Sequence, residues 1–136
     1  MEHFSNLAKK YYGMASEHAK NGQYYLASLF SVFSIDTASK AALLKVRSEV
    51  DDLEDNVEEL RKAIMEVANS GKGGAVVDYL RRLLEINHRL EEESKLVLYG
   101  NPLSKMDPEK IYDEREAKNL LKLAGEALKL SEKLLS

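Results

Sequence analysis

Two amphipathic stretches flank the dipeptide Asn21-Gly22 in the first third of the chain. Apolar side chains recur every three or four residues from 4 to 19 and again from 25 to 44, the spacing of one face of an α-helix. Asn and Gly tolerate the left-handed backbone conformation that ends a helix, so the chain is predicted to reverse here as an αα-hairpin. Seven of the ten aromatic residues lie in this hairpin. We therefore expect residues 3–46 to be the core of the fold.

The segment after the hairpin has an apolar pattern that fits two interpretations. Apolar residues from Val46 to Val67 follow alternating steps of four and three, so one helix could continue through the whole segment. Ser48 followed by Asp51 instead resembles the capped start of a new helix, and a single helix of more than about 40 residues is rare in a compact domain. We favour a break near 46–49 and a third helix at about 48–69, with its many carboxylates on a solvated face.

Glycine and proline predict the boundaries of the next helix. The glycine-rich stretch 69–74 lacks the residue spacing of a phosphate-binding loop, and no strand leads into it, so we interpret it as a linker. The helix that follows, at about 75–99, should end at Gly100, because glycine accepts the left-handed cap and Pro102 cannot continue the helical hydrogen bonds.

The C-terminal part carries two further helix starts. Asp107 followed by Pro108 predicts a short helix, and Asp113 with Glu116 predicts the start of a last helix at about 113–135. The expected structure is a single all-α domain of residues 1–136, an up-and-down helical bundle of four long helices plus one short helix. The predicted core residues are Tyr11, Ala15, Leu26, Phe30, Phe33, Leu83, Leu90 and Leu121.

The composition excludes several classes of function. The chain has 136 residues and no cysteine, so thiolate chemistry and cysteine-bound zinc are ruled out. With 20 basic and 23 acidic residues the net charge is −3, which lacks the basic excess of a protein that grips phosphate by charge alone. No apolar run approaches the ~20 residues that span a bilayer. We expect a soluble, cytoplasmic protein or a piece of a longer one, with no metal, no cofactor and no membrane span.

Four residues of the hairpin are candidates for a binding site. Asp36 and Lys40 stand one turn apart on an otherwise apolar part of the second helix, which is an unusual place for charge. Asp36 is expected to meet Lys40 of its own helix, or Tyr11 or Tyr12 across the hairpin. It is not expected to reach His18, because the two positions lie on the order of 15 Å apart along the hairpin. A structural hydrogen-bonding role is favoured over a functional one.

Three residues of the fourth helix are the candidates for catalysis. Arg81 precedes His88 by seven residues, so these two lie nearly on one face of that helix, and Arg82 precedes His88 by six. A basic face with Arg82, His88 and Arg89 could meet phosphate, or it could meet the acidic third helix of the same chain. We favour contact with the third helix.

The hairpin resembles that of the HEPN family of small helical domains. The similarity rests on residues 7–12, 21–27 and 38–44, and residues 99–127 are similar to the family's last loop and helix. HEPN nucleases carry an arginine and a histidine separated by four to six intervening residues, a spacing that either Arg81 or Arg82 makes with His88. The resemblance therefore implies a metal-independent ribonuclease or RNA-binding domain that acts as a dimer.

A second resemblance involves the hairpin bend alone. Residues 22–29 are similar to the helical region that follows the catalytic domain of archaeal Lon-like serine proteases. That similarity implies a non-catalytic appendage, because the protease dyad is absent from this chain.

The hypothesis we place first is a non-catalytic helical interaction or dimerisation module, HEPN-like, that forms a homodimer through helical faces. The aromatic hairpin and the apolar pattern of the third helix offer more apolar surface than one small bundle can bury. The ribonuclease hypothesis ranks lower, because His88 lies inside a predicted regular helix and Glu85 and Glu91 would repel phosphate. Nucleic acid is not a favoured partner, and the sequence does not identify a protein partner.

Overall fold

A computed structural model describes residues 2–47, 49–71, 73–101, 103 and 105–135, and these residues form an all-α structure with no extended strand. The described residues form five helices of 14 residues or more and one of four residues. The expected count of four long helices was wrong, although the predicted ranges themselves already contain five. They are α1 (Glu2–Lys20), α2 (Tyr24–Val46), α3 (Asn56–Asn69), α4 (Gly74–Tyr99), α5 (Pro108–Ile111) and α6 (Glu114–Leu135).

The predicted hairpin is present and its bend has the expected chemistry. Gly22 has φ +73°, and the backbone N–H of Gln23 donates to the carbonyl of His18 at 2.9 Å, which closes the end of α1. Along the contact with α2, α1 buries Ala8 and Ala15, whose small side chains let the two helices approach closely. The local sequence signal therefore determines this part of the fold.

The second helix, α2, is the centre of the structure. It contacts each of the other five helices, and its twelve buried residues lie on several sides of the helix. Five buried hydroxyl side chains are satisfied by backbone carbonyls, four of them within α2 itself. The fifth, Ser34, donates to the carbonyl of Ala8 at 2.8 Å and so joins α2 to α1. These buried hydroxyl groups therefore all have backbone partners.

The third helix begins later than expected. Residues 49–55 form a non-helical connection, and α3 starts at Asn56, where the side chain of Asp55 accepts a hydrogen bond from the backbone N–H of Glu58 at 3.1 Å. The start predicted at Ser48 and Asp51 was wrong for Asp51, which lies in the connection; Ser48 is outside the described residues. The break after Val46 was predicted correctly, since Arg47 already has an extended backbone.

A buried ion cluster anchors this connection to α3. The Glu59 carboxylate accepts from the Arg47 guanidinium at 2.7 Å and from the backbone N–H of Asp51 at 2.7 Å, and it pairs with the ammonium of Lys62 at 3.1 Å. Burial by itself would raise the pKa of Glu59. The hydrogen bonds from Lys62 and Asp51 and the charges of Lys62 and Arg47 outweigh burial, so the pKa of this carboxyl is lowered.

The remaining boundaries follow the sequence signals. Gly100 has φ +72° at the end of α4, and Pro108 occupies the first turn of α5. Asp113 accepts from the backbone N–H of Glu116 at 3.0 Å at the start of α6. The prediction that Pro102 stops α4 falls outside the described residues.

The predicted core was correct in part. Ala15, Leu83 and Leu90 are buried, as expected. The other five, Tyr11, Leu26, Phe30, Phe33 and Leu121, are only partly buried. The aromatic residues of the hairpin were misplaced because helical spacing identifies an apolar face without telling whether a neighbouring element covers it.

Candidate protein-interaction surface

One side of the α1–α2 hairpin is apolar and has no covering helix. Within the described chain α1 contacts α2 and α6 but neither α3 nor α4. On its α6 side, α1 places the Tyr12 ring over Gly125. The opposite side carries a stripe of partly buried residues at alternating spacings of three and four, namely Phe4, Leu7, Tyr11, Met14 and His18. We call this stripe, together with Phe30 and Phe33 of α2, the hairpin face.

The aromatic rings of the hairpin face pack against one another. The ring centroids of Tyr11 and Phe33 are 5.5 Å apart, and Tyr11 also stacks on Phe30 at 6.1 Å. His18 lies parallel to Phe30 at 5.4 Å, and its Nδ1 is 2.6 Å from Oε1 of Gln23. The rings of the hairpin face therefore form one connected cluster.

A cleft of about 280 Å³ adjoins the hairpin face at Phe33. It lies between α2, the start of α3 and the C-terminal part of α4. Its apolar lining residues are Val32, Phe33, Val57, Leu90 and Leu98, and its polar ones are Asp36, Glu54, Asp55, Asn56, Asn87, Glu91 and Ser94. The cleft is thus lined by five apolar side chains and four carboxylates.

A hydrogen-bonded network lies along one side of the cleft and includes two of the predicted binding residues. The Lys40 ammonium donates to Asp36 at 2.7 Å and to Asn56 Oδ1 at 3.2 Å, and the Asn56 amide donates to Asp36 at 2.9 Å. The Asn87 amide donates to Ser39 Oγ at 2.8 Å. Asn56 and Asn87 are about nine-tenths buried or more, and every one of these amides has a partner.

The structure separates the four predicted binding residues into two groups. Asp36 and Lys40 form the expected pair within α2, and Asp36 also lines the cleft. Among the described residues Asp36 is hydrogen-bonded to Lys40 and Asn56 and not to the tyrosines. Tyr11 packs on Phe33, and Tyr12 packs on Gly125 of α6. Sequence reasoning missed Asn56 as a site residue. Asn87 did give a signal, because it occupies a core position in the apolar pattern of α4.

Two of the three candidate catalytic residues, Arg82 and His88, are held by other side chains. Arg82 pairs with Glu126 of α6 at 2.5 and 2.8 Å and with Glu85 at 2.9 Å, and these hydrogen bonds raise its pKa further above the ordinary arginine value. His88 Nε2 lies 3.0 Å from Arg61 Nη2 of α3. Arg81 is exposed and lines none of the cleft.

We expected the basic residues of α4 to contact the acidic residues of α3. This prediction was wrong for Arg82, and His88 contacts α3 through a basic residue and not an acidic one. Arg82 reaches α6 instead, because Glu126 offers it a two-pronged carboxylate contact. His88 meets a basic residue of α3, and its nearest carboxylate is Glu91 of α4 at 3.9 Å. The acidic residue Glu58 of α3 pairs within its own helix, with Arg61 at 3.6 Å.

Neither metal-binding groups nor membrane-spanning helices point to a function among the described residues. No group of three or more His, Asp or Glu residues in the described ranges is arranged to hold a metal ion. By length and composition, α2 is the one described helix that could cross a bilayer. However, 67% of its most apolar stretch is buried, and the core helix of a soluble protein meets the same criteria. The absence of a membrane span stays a prediction.

Comparisons of the chain with protein-family models, with curated proteins and with solved structures found no significant match.

Proposed function

We propose that this chain is a non-catalytic helical interaction module that forms a homodimer through the hairpin face, on a HEPN-like up-and-down bundle. The observation that carries the proposal is the incomplete cover of α2. A helix that is apolar on every side is normally buried on every side, yet Phe30 and Phe33 of α2 are only partly buried. A second copy of the same face would cover them.

The composition of α1 supports the same conclusion. Its stripe from Phe4 to His18 runs the full length of the helix on the side away from α6. Monomeric soluble proteins rarely expose large contiguous apolar patches, and such patches usually mark interaction sites. A face that is identical in two copies can be self-complementary about a two-fold axis, which is the commonest symmetry of oligomers.

The hairpin face supplies part of the surface that a stable dimer needs. The 19 residues of α1 span about 28 Å, and two helices packed about 9 Å apart present a face roughly 20 Å wide. Such a face offers on the order of 500 Å², whereas a stable interface buries about 800 Å² on each partner. The rest of the proposed interface has to come from adjoining surface, of which the cleft is one part.

The ribonuclease alternative has less support. It requires Arg81 or Arg82 and His88 to converge on a phosphate, but Arg82 is engaged by two carboxylates and His88 by Arg61. An RNA backbone would have to displace both of these contacts. The Lon-like appendage alternative needs only a helical module with a docking face, and it would replace the second copy by a catalytic domain of the same gene product.

Light scattering at micromolar concentration tests the homodimer. We expect a mass twice the 15.4 kDa of the chain for the wild type. Met14→Glu places a charge in the hairpin face and should give the monomer mass with an unchanged helical circular dichroism spectrum. Asn6→Glu adds the same charge on an exposed position of α1 outside the stripe and should remain dimeric.

A wild-type mass near 15.4 kDa would remove the homodimer. A dimeric Met14→Glu variant would instead show that the copies meet through another surface.

A further inference from the structure

A second apolar surface lies at the end of α4, where four large side chains are exposed. They are Leu98, Tyr99, Leu103 and Met106, of which Leu103 is 96% exposed. Paired backbone hydrogen bonds between Asn101 and Met106, at 2.9 and 3.1 Å, fold this part of the chain back on itself. We call these four residues, with Lys105, the α4 projection. The exposed side chain of Leu103 is in contact with water, and covering it with a partner would be favourable because apolar surface would be removed from water.

The cleft has the chemistry that such a projection requires. Val57, Leu90 and Leu98 give it an apolar wall, and Glu54, Asp55 and Glu91 are exposed carboxylates among its lining residues. Its volume of about 280 Å³ is at the lower limit for small-molecule sites, and it is large enough for one or two side chains. The carboxylates are not grouped for a metal in the part of the chain that is described. An apolar side chain next to a cation is the complementary ligand.

The α4 projection supplies both groups. Leu103 is the apolar side chain, and Lys105, two residues later, is an exposed cation. Leu98 belongs to the projection and also lines the cleft, so the two surfaces are neighbours on one molecule. Leu103 does not enter the cleft of its own chain, because nearly all of its surface is exposed. If a two-fold axis passes near Leu98, the α4 projection of each copy lies at the cleft of the other copy.

We propose that each copy in the homodimer inserts Leu103 into the cleft of the other copy and places Lys105 against the carboxylates of Glu54, Asp55 and Glu91. This inference rests on the proposed homodimer and adds to the hairpin face a second contact, in which the partner completes the site. The insertion buries Leu103 and pairs charges that face solvent in the isolated chain.

Cysteine cross-linking between two single variants provides the direct test. The chain contains no cysteine, so a mixture of Leu103→Cys and Ser94→Cys can form a mixed disulfide only between two molecules. We expect that mixed dimer under mild oxidation, identified by its mass. As a control, Leu103→Cys is mixed with Lys129→Cys, whose cysteine is exposed on α6, outside the cleft, and should form little of the mixed dimer. Equal yields from the two mixtures would overturn the inference.

Charge reversal gives an independent measurement. Lys105→Glu should raise the dimer dissociation constant roughly 3- to 10-fold, and adding Glu91→Lys to the same chain should recover most of the loss. Leu103→Asp should raise the constant by about 10-fold or more, because it removes a buried leucine. If Met14→Glu dissociates the dimer while these variants leave the constant unchanged, the proposed function stands and the insertion does not. A monomeric wild type removes both.

Discussion

Glu59 provides the sharpest test of the energetics of the fold. Its carboxylate is 1% exposed, accepts hydrogen bonds from Arg47 and from the backbone N–H of Asp51, and forms an ion pair with Lys62. Removing one partner of a buried ion pair typically costs about 3–5 kcal/mol. The cost should be smaller here, because Arg47 keeps its two hydrogen bonds to Glu66 and Lys62 keeps Asp51. We therefore expect Glu59→Gln to lower the free energy of unfolding by about 2–3 kcal/mol.

The assay is urea unfolding followed by circular dichroism at pH 7, with Glu58→Gln as the matched control. Glu58 is the preceding residue, and its ion pair with Arg61 is solvent-exposed on both sides, so its loss should cost less than about 0.5 kcal/mol. Both variants remove one negative charge and keep the shape of the side chain. The difference between them isolates the buried cluster from the general effect of net charge.

The pH dependence of the same pair of measurements checks the electrostatic cause. Because the pKa of Glu59 is lower in the folded state, the unfolded chain binds its proton more readily. The stabilisation is therefore complete above the ordinary glutamate pKa of 4.5 and is lost as the pH falls through the lower folded value. The gap between wild type and Glu59→Gln should narrow in that range. A loss below about 1 kcal/mol at pH 7, or a gap that does not change with pH, would refute the reasoning.

Two other predictions concern the end of α4 and the ribonuclease alternative. Gly100→Ala should cost more than about 2 kcal/mol in thermal or urea unfolding, since a Cβ there would collide with the carbonyl of Met106, whereas Gly22→Ala, at a similar φ with open space around it, should cost about 1 kcal/mol. Equal losses would contradict the collision. Neither wild type nor His88→Ala should cleave a mixed single-stranded RNA pool at low salt; cleavage by wild type that is lost in the variant would place the ribonuclease alternative first.

Sequence reasoning succeeded where the decisive signal is local. The bend at Asn21-Gly22, the start of α5 at Pro108 and the cap at Asp113 each depend on residues within one helical turn of the boundary. The start of α3 failed for the converse reason. Val50 lies in a connecting segment and still packs on the core, so the apolar spacing continues where the helix does not. The contact that shapes this segment, Arg47 with Glu59, joins residues twelve positions apart.

The candidate site was less predictable than the fold. Asn56 and Asn87 are 31 residues apart in sequence and meet because α3 packs against α4. Arg82 likewise finds Glu126 at a separation of 44 residues. Helical periodicity places each residue on a side of its own helix, but it does not tell which helices will be neighbours. The same limit applies to the hairpin face, because the exposure of its residues depends on where the other helices pack.

The apolar character of α2 also has a consequence for how the chain is made. A helix of this length and composition, emerging alone, is a substrate for membrane insertion or for aggregation. Its first partner, α1, has already been synthesised when α2 appears, and a bend of three residues brings the two together in microseconds, far faster than ribosomes add residues. Placing the aromatic, alanine-rich α1 ahead of α2 thus gives the most vulnerable segment a cover during translation.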